Sequence, residues 1–132
     1  MTARAAAVTM TRVYRTLPAL AWMGLIFWLS AQPKLPEVLF IFDGIDKVFH
    51  AGAYGVLGIL VWVALGVSYR RAAVLALVVS SLYGASDELH QYFVPGRSCD
   101  VFDWMADTAG AAAGIATLGI WLSRTRAVTE EP

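Results

Sequence analysis

Apolar residues fall in four long blocks, at 14–32, 48–69, 72–94 and 101–122, separated by short stretches where charge, Pro and Gly gather. Each block has the roughly 20 mostly apolar residues that a helix needs to cross a bilayer core, at about 1.5 Å per residue. The pattern predicts an all-α, polytopic membrane protein with four transmembrane helices, forming a single domain over residues 1–132. The stretch 33–44 carries Pro33, Pro36 and Gly44 around an apolar run at 38–42, too short to span and suited to the membrane interface. Arg70-Arg71 marks a short turn, making spans two and three an antiparallel hairpin. Pro95-Gly96 ends the third helix, because Pro cannot continue it and Gly supplies a positive dihedral. Residues 129–132 read as an unanchored tail.

Composition agrees with the bilayer as solvent. The chain has 132 residues, 58% hydrophobic and 15% charged, with a mean hydropathy of +0.61; a soluble domain of this size cannot bury so much apolar surface. Lys and Arg number 10 and Asp and Glu number 10, so the net charge is zero, yet the signs are segregated. Arg4, Arg12 and Arg15 precede the first span, Arg70 and Arg71 join spans two and three, and Arg124 and Arg126 follow span four. If all four segments cross, these lie on one side. The other side receives Glu37, Asp43, Asp46, Asp87, Glu88, Asp100, Asp103 and Asp107, with only Lys34, Lys47 and Arg97 for balance. The positive-inside bias places both termini in the cytoplasm and the acidic loops outside, in a multi-pass protein of the cell (plasma or inner) membrane. Reading the first span as a cleaved signal peptide is disfavoured by Leu29, where a small residue is wanted. Cys99 is the sole cysteine, which excludes an intrachain disulfide and a thiolate metal site.

Charges inside a span cost on the order of 2.5–3.5 kcal/mol each at the bilayer centre, so their placement carries information. At about 100° per residue, Lys47, His50 and Tyr54 share a narrow arc of span two, with Asp46 beside them. Span three gathers Ser80, Tyr83, Asp87, Glu88, His90 and Gln91 on one side and Leu82, Ala85, Leu89, Tyr92 and Phe93 on the other. In span four Asp103 and Asp107 are one turn apart and share a face with Gly110 and Gly114. The topology brings all three clusters to one end of the bundle, where Arg97 can lean over them. Plain structural roles exist for each member. Asp43 or Asp46 suits the cap of span two and Asp100 or Asp103 that of span four; Lys47 can snorkel; Asp87 can pair with Lys47 or Arg97. Gly110 and Gly114 suit close helix packing within the bundle or, alternatively, a homodimer face. Such roles do not account for Asp87, Glu88, His90, Gln91, His50 and Asp107 together, because four helices can be held with far fewer intramembrane charges.

The runs Asp46-Lys47-Val48-Phe49-His50 with Tyr54, Tyr83-Gly84-Ala85-Ser86-Asp87-Glu88-Leu89-His90-Gln91, Pro95-Gly96-Arg97, and Asp103 with Asp107 and Gly110 resemble the VanZ-like membrane proteins. That family is named for a factor associated with low-level resistance to the glycopeptide teicoplanin. The resemblance covers residues 46–114 and implies a four-helix membrane domain with a polar cluster at the matching positions. One departure is Asp107, which stands where the family is associated with Asn.

Two function classes are weighed. The leading expectation is an outer-leaflet pocket that binds or shields an anionic, lipid-linked cell-envelope molecule or a glycopeptide. Lys47 and Arg97 would hold phosphate or carboxylate, while Asp46, His50, Tyr54, Tyr83, Asp87, Glu88, Gln91, Asp103 and Asp107 complete the ligand-binding set. The alternative is a membrane enzyme using His50, Asp87, Glu88 or His90 for acid-base chemistry on such a substrate. A divalent cation on Asp87, Glu88, His50 and Asp107 is a variant of that alternative. Because no HExxH or other fixed-spacing motif is present, no metal and no cofactor is expected. Transport lacks a polar route through the apolar inner halves of the spans, and nucleic-acid binding lacks a basic surface. The expected partners are membrane lipids.

Overall fold

The computed structural model describes residues 3–33, 44–66 and 70–129, with side chains described within 10–126. They form four helices, α1 (Ala3–Ser30), α2 (Ile45–Leu65), α3 (Arg70–Tyr92) and α4 (Val101–Thr129), and no strand among the described residues. The interfacial run at 38–42, the Asp43 cap and tail residues 130–132 lie outside them.

Burial is inverted relative to a soluble domain. Ser80, Asp87, Glu88, Gln91, Asp103 and Asp107 are buried, while Leu82, Leu89, Phe93, Trp28 and Trp121 are exposed. Water would reward the opposite arrangement, whereas a bilayer solvates the apolar exterior and makes polar groups seek one another inside. Ile45–Leu65, Arg70–Tyr92 and Val101–Arg126 are long and apolar enough to cross a membrane. The fourth expected crossing, α1, is less clear in composition, because Arg12, Arg15, Thr16 and Pro18 interrupt its first half. It nevertheless joins the bundle: the Trp22 indole donates to the Ala53 carbonyl at 2.9 Å and the Tyr83 hydroxyl to the Met23 carbonyl at 2.7 Å.

Helix ends depart from the apolar windows where the sequence supplies a stop or a continuation. α2 begins at Ile45, after Gly44 at φ 86°, and stops at Leu65 because Gly66, at φ 100°, turns the chain. α4 runs on to Thr129 through Arg124 and Arg126, polar residues that favour helix beyond the apolar stretch.

The most extensive pair is α2 with α4. They run in the same direction, so Gly110 meets Ala51, Gly114 meets Gly55, Ala111 meets Gly58, and Trp62 lies over Gly119. A Cβ at Gly110 or Gly114 would collide with the carbonyl oxygen of Ala51 or Gly55. The small-residue face is thus used within one chain, which removes the reason for a homodimer through it. α3 is tied to α4 by Ser81 Oγ to Thr108 Oγ1 at 2.8 Å and by the Trp104 indole, which donates to the Ser81 carbonyl at 3.0 Å. This arrangement collects Arg12, Arg15, Arg70, Arg71, Arg124 and Arg126 at one end of the bundle and the intramembrane carboxylates at the other.

Candidate functional site

The acidic end is assembled from the start of α2, the end of α3 and the start of α4. Lys47 projects from the first turn of α2 into three carboxylates, with Nζ 3.3 Å from Asp46, 3.2 Å from Asp100 and 2.8 Å from Asp103. Asp100 does two things at once. One of its oxygens accepts the Phe102 amide at 2.8 Å and so caps α4, while the other takes Lys47. It lies outside the spans, and the Phe102 amide together with the Lys47 ammonium holds its carboxyl below the usual carboxylate range. The expected capping role of Asp100 is therefore present. Asp46 does not cap α2, because Gly44 occupies the N-cap and no side chain bonds there.

One turn further along α2, His50 Nδ1 lies 2.9 Å from Asp107 Oδ1 on α4. Asp107 is completely buried and its second oxygen, Oδ2, has no partner among the described residues. Gly84 on α3 leaves room for it: a Cβ at that position would stand 2.9 Å from Asp107 Oδ2 and 3.3 Å from the Tyr54 ring. The Tyr54 hydroxyl, like Asp87 Oδ1 and Ser80 Oγ, is buried without a partner. Glu88 completes the centre. Its Oε2 accepts the Asp100 amide at 2.8 Å, and Gln91 Nε2 spans Asp87 Oδ2 at 3.3 Å and Glu88 Oε1 at 3.5 Å. One ligand atom each from His50, Glu88 and Asp107 lies within 4.8 Å of the others.

Most of the residues expected from the helical faces meet here: Asp46, Lys47, His50, Tyr54, Asp87, Glu88, Gln91, Asp103 and Asp107. Tyr83 stands at the edge of this group: its ring centroid lies 6.2 Å from that of Tyr54, while its hydroxyl donates to the Met23 carbonyl. His90 turns to α1, where it stacks on Phe27 with ring centroids 4.3 Å apart. Arg97 lies in the turn after α3, set by Gly96 at φ 79°. It forms no ion pair with the carboxylates among the described residues, and its Nε is buried without a partner.

Lys47 already shares its ammonium among three carboxylates, a structural role that leaves less of its positive field for a phosphate. Ser80, on the polar side of span three, lines the site as well, and Gly84 is the site-lining residue that the polar faces left out. The signal was available in the spacing, since positions 80, 84, 87, 88 and 91 form one helical stripe.

A family model described as VanZ/LLP1 matches residues 7–122, which takes in the spans of all four helices and every residue of the cluster. No curated protein and no solved structure gives a match.

Proposed function

The chain belongs to the VanZ/LLP1 family, and from that premise we propose that it binds an anionic, lipid-linked molecule of the cell envelope at the acidic end of its bundle. Through this binding it would contribute to low-level resistance to glycopeptides such as teicoplanin. The observation that carries this reading is the set of buried oxygens without partners, Asp87 Oδ1, Asp107 Oδ2 and the Tyr54 hydroxyl. Buried polar groups are nearly always satisfied, and each exception calls for a ligand, water or ion. Sugar hydroxyls or peptide amides of an envelope precursor are the donors that would suit them. Arg97 supplies a guanidinium that no carboxylate among the described residues neutralises, a group suited to phosphate or carboxylate. The polar end would face out of the plasma or inner membrane, at the depth where a lipid-linked headgroup resides.

The Arg97→Gln variant tests the reading. Loss of the resistance phenotype at unchanged membrane abundance and melting temperature is expected, because the lost partner is the ligand. If Arg97 instead neutralised Asp87 or Glu88, its removal would cost about 3–5 kcal/mol, deplete the protein, and be relieved by Glu88→Gln. Full resistance in Arg97→Gln would discard Arg97 as a ligand contact.

The His50–Asp107 pair supports a second reading, a membrane enzyme acting on the same substrate. A carboxylate 2.9 Å from one ring nitrogen orients the imidazole as a general base, with Glu88 close enough to serve as the acid. His50→Gln would then retain the bound lipid and abolish its turnover.

A further inference from the structure

The acidic end is short of positive charge for the anion it is proposed to hold. Lys47 is enclosed by Asp46, Asp100 and Asp103, and Arg97, in the turn after α3, pairs with none of the carboxylates among the described residues. Asp87, Glu88 and Asp107, each at most 3% exposed, have only His50 within ion-pair distance among the described residues, and it pairs with Asp107. Two of these carboxylates keep an oxygen buried and unpartnered, Asp107 Oδ2 and Asp87 Oδ1.

The ligand atoms of His50, Glu88 and Asp107 fall within 4.8 Å of one another. Nitrogen and oxygen donors bind a first-row divalent ion at about 2.0–2.2 Å, so atoms spread over that distance close on one ion with small side-chain adjustments. Glu88 Oε1 is the oxygen left for an ion, since Oε2 takes the Asp100 amide and Oε1 has only the long 3.5 Å contact from Gln91. The missing side chain at Gly84 leaves space beside Asp107 Oδ2, where any Cβ would come within 2.9 Å.

We propose that His50, Glu88 and Asp107 form a site for one first-row divalent cation of the Zn²⁺ class, whose open coordination position receives a phosphate or carboxylate oxygen of the envelope ligand. One imidazole nitrogen favours such an ion over Mg²⁺ or Ca²⁺, two carboxylates balance its charge, and three protein ligands leave a fourth position for substrate. The surroundings match what metal ligands need: the Asp100 amide fixes Glu88 Oε2, and Gln91 holds Asp87 against Glu88. The ion turns an acid-lined site into one that attracts an anion. Its ligands come from α2, α3 and α4, so no local sequence spacing announces it. The metal site stands on its own geometry; its role in holding the ligand rests on the function proposed above.

The test uses the full-length protein in detergent, stripped with EDTA and dialysed against buffered Zn²⁺, with metal content read by mass spectrometry. About one Zn²⁺ per chain is expected, with a rise in melting temperature that EDTA reverses. His50→Ala and Glu88→Gln should each weaken Zn²⁺ binding by more than about tenfold, while Arg124→Gln, at the opposite end of the bundle, keeps it. Background zinc in the wild-type protein, or wild-type affinity in both ligand variants, overturns the site. Should the variants fail to accumulate, Co²⁺ loaded into the wild-type chain gives the same decision: visible bands of a nitrogen and oxygen ligand set support the site, and the spectrum of free aqueous Co²⁺ overturns it. A protein that keeps an envelope lipid without zinc overturns the metal site and leaves lipid binding standing. One that binds zinc but no envelope lipid does the reverse.

Discussion

Tyr54 is 1% exposed, its ring edge packs against Gly84, and its hydroxyl has no partner among the described residues. A buried hydroxyl in that state lowers stability, so Tyr54→Phe is expected to leave the delipidated protein as stable as the parent or more stable by up to about 1 kcal/mol. A thermal melt in detergent checks this, and a loss of about 2 kcal/mol would mean that the hydroxyl is satisfied within the fold. The arc of Lys47, His50 and Tyr54 was legible from helical spacing because all three face the neighbouring helices: Lys47 reaches Asp103 and His50 reaches Asp107 on α4, and the Tyr54 ring packs against Gly84 on α3. The contacts of Tyr83 and His90 with α1 were not legible. A helical wheel places a side chain on an angle, and it does not show that the Met23 carbonyl takes the Tyr83 hydroxyl or that Phe27 stacks on His90. The three-carboxylate setting of Lys47 was not legible, because the sequence does not show that Asp100 lies beside Asp103 and Asp46 in space.

At the level of helices, the glycines divide into those that admit another backbone and those that do not. A Cβ at Gly110 or Gly114 meets a carbonyl of α2, whereas one at Gly52 meets nothing within 4 Å. Gly110→Ala and Gly114→Ala must push α2 and α4 apart and are expected to cost at least about 1–3 kcal/mol. Gly52→Ala should instead stabilise by about 0.5–1 kcal/mol through helix propensity. Equal effects at all three positions, measured by thermal unfolding, would contradict the α2–α4 interface. The existence of the helices was legible because four apolar blocks have no other solution in a bilayer. Their ends were less so, since an apolar window measures the embedded part, whereas Gly66 ends α2 early and α4 continues past the window. Whether Gly110 and Gly114 served one chain or two depended on which helix lay opposite, and only the fold supplies that.

Across the described residues, six arginines gather at one end and the carboxylates at the other, with only Lys47 and Arg97 beside them, and by the positive-inside bias this predicts that Cys99 and the site face outward. Cys99 is exposed in the turn between α3 and α4. A membrane-impermeant thiol reagent should therefore label it in intact cells, after permeabilisation of an outer membrane where one exists. Labelling only after lysis of the inner membrane, with a reactive denatured control, would invert the orientation and turn the acidic end to the cytoplasm. The central claim, that this acidic end holds an envelope lipid, is tested most directly by native mass spectrometry of the mildly extracted protein with its bound lipid. The account predicts one phosphate-bearing, lipid-linked envelope molecule per chain, enriched over its share of the membrane and reduced in Arg97→Gln. Bulk phospholipid alone, in proportion to membrane composition and unchanged in that variant, would contradict it.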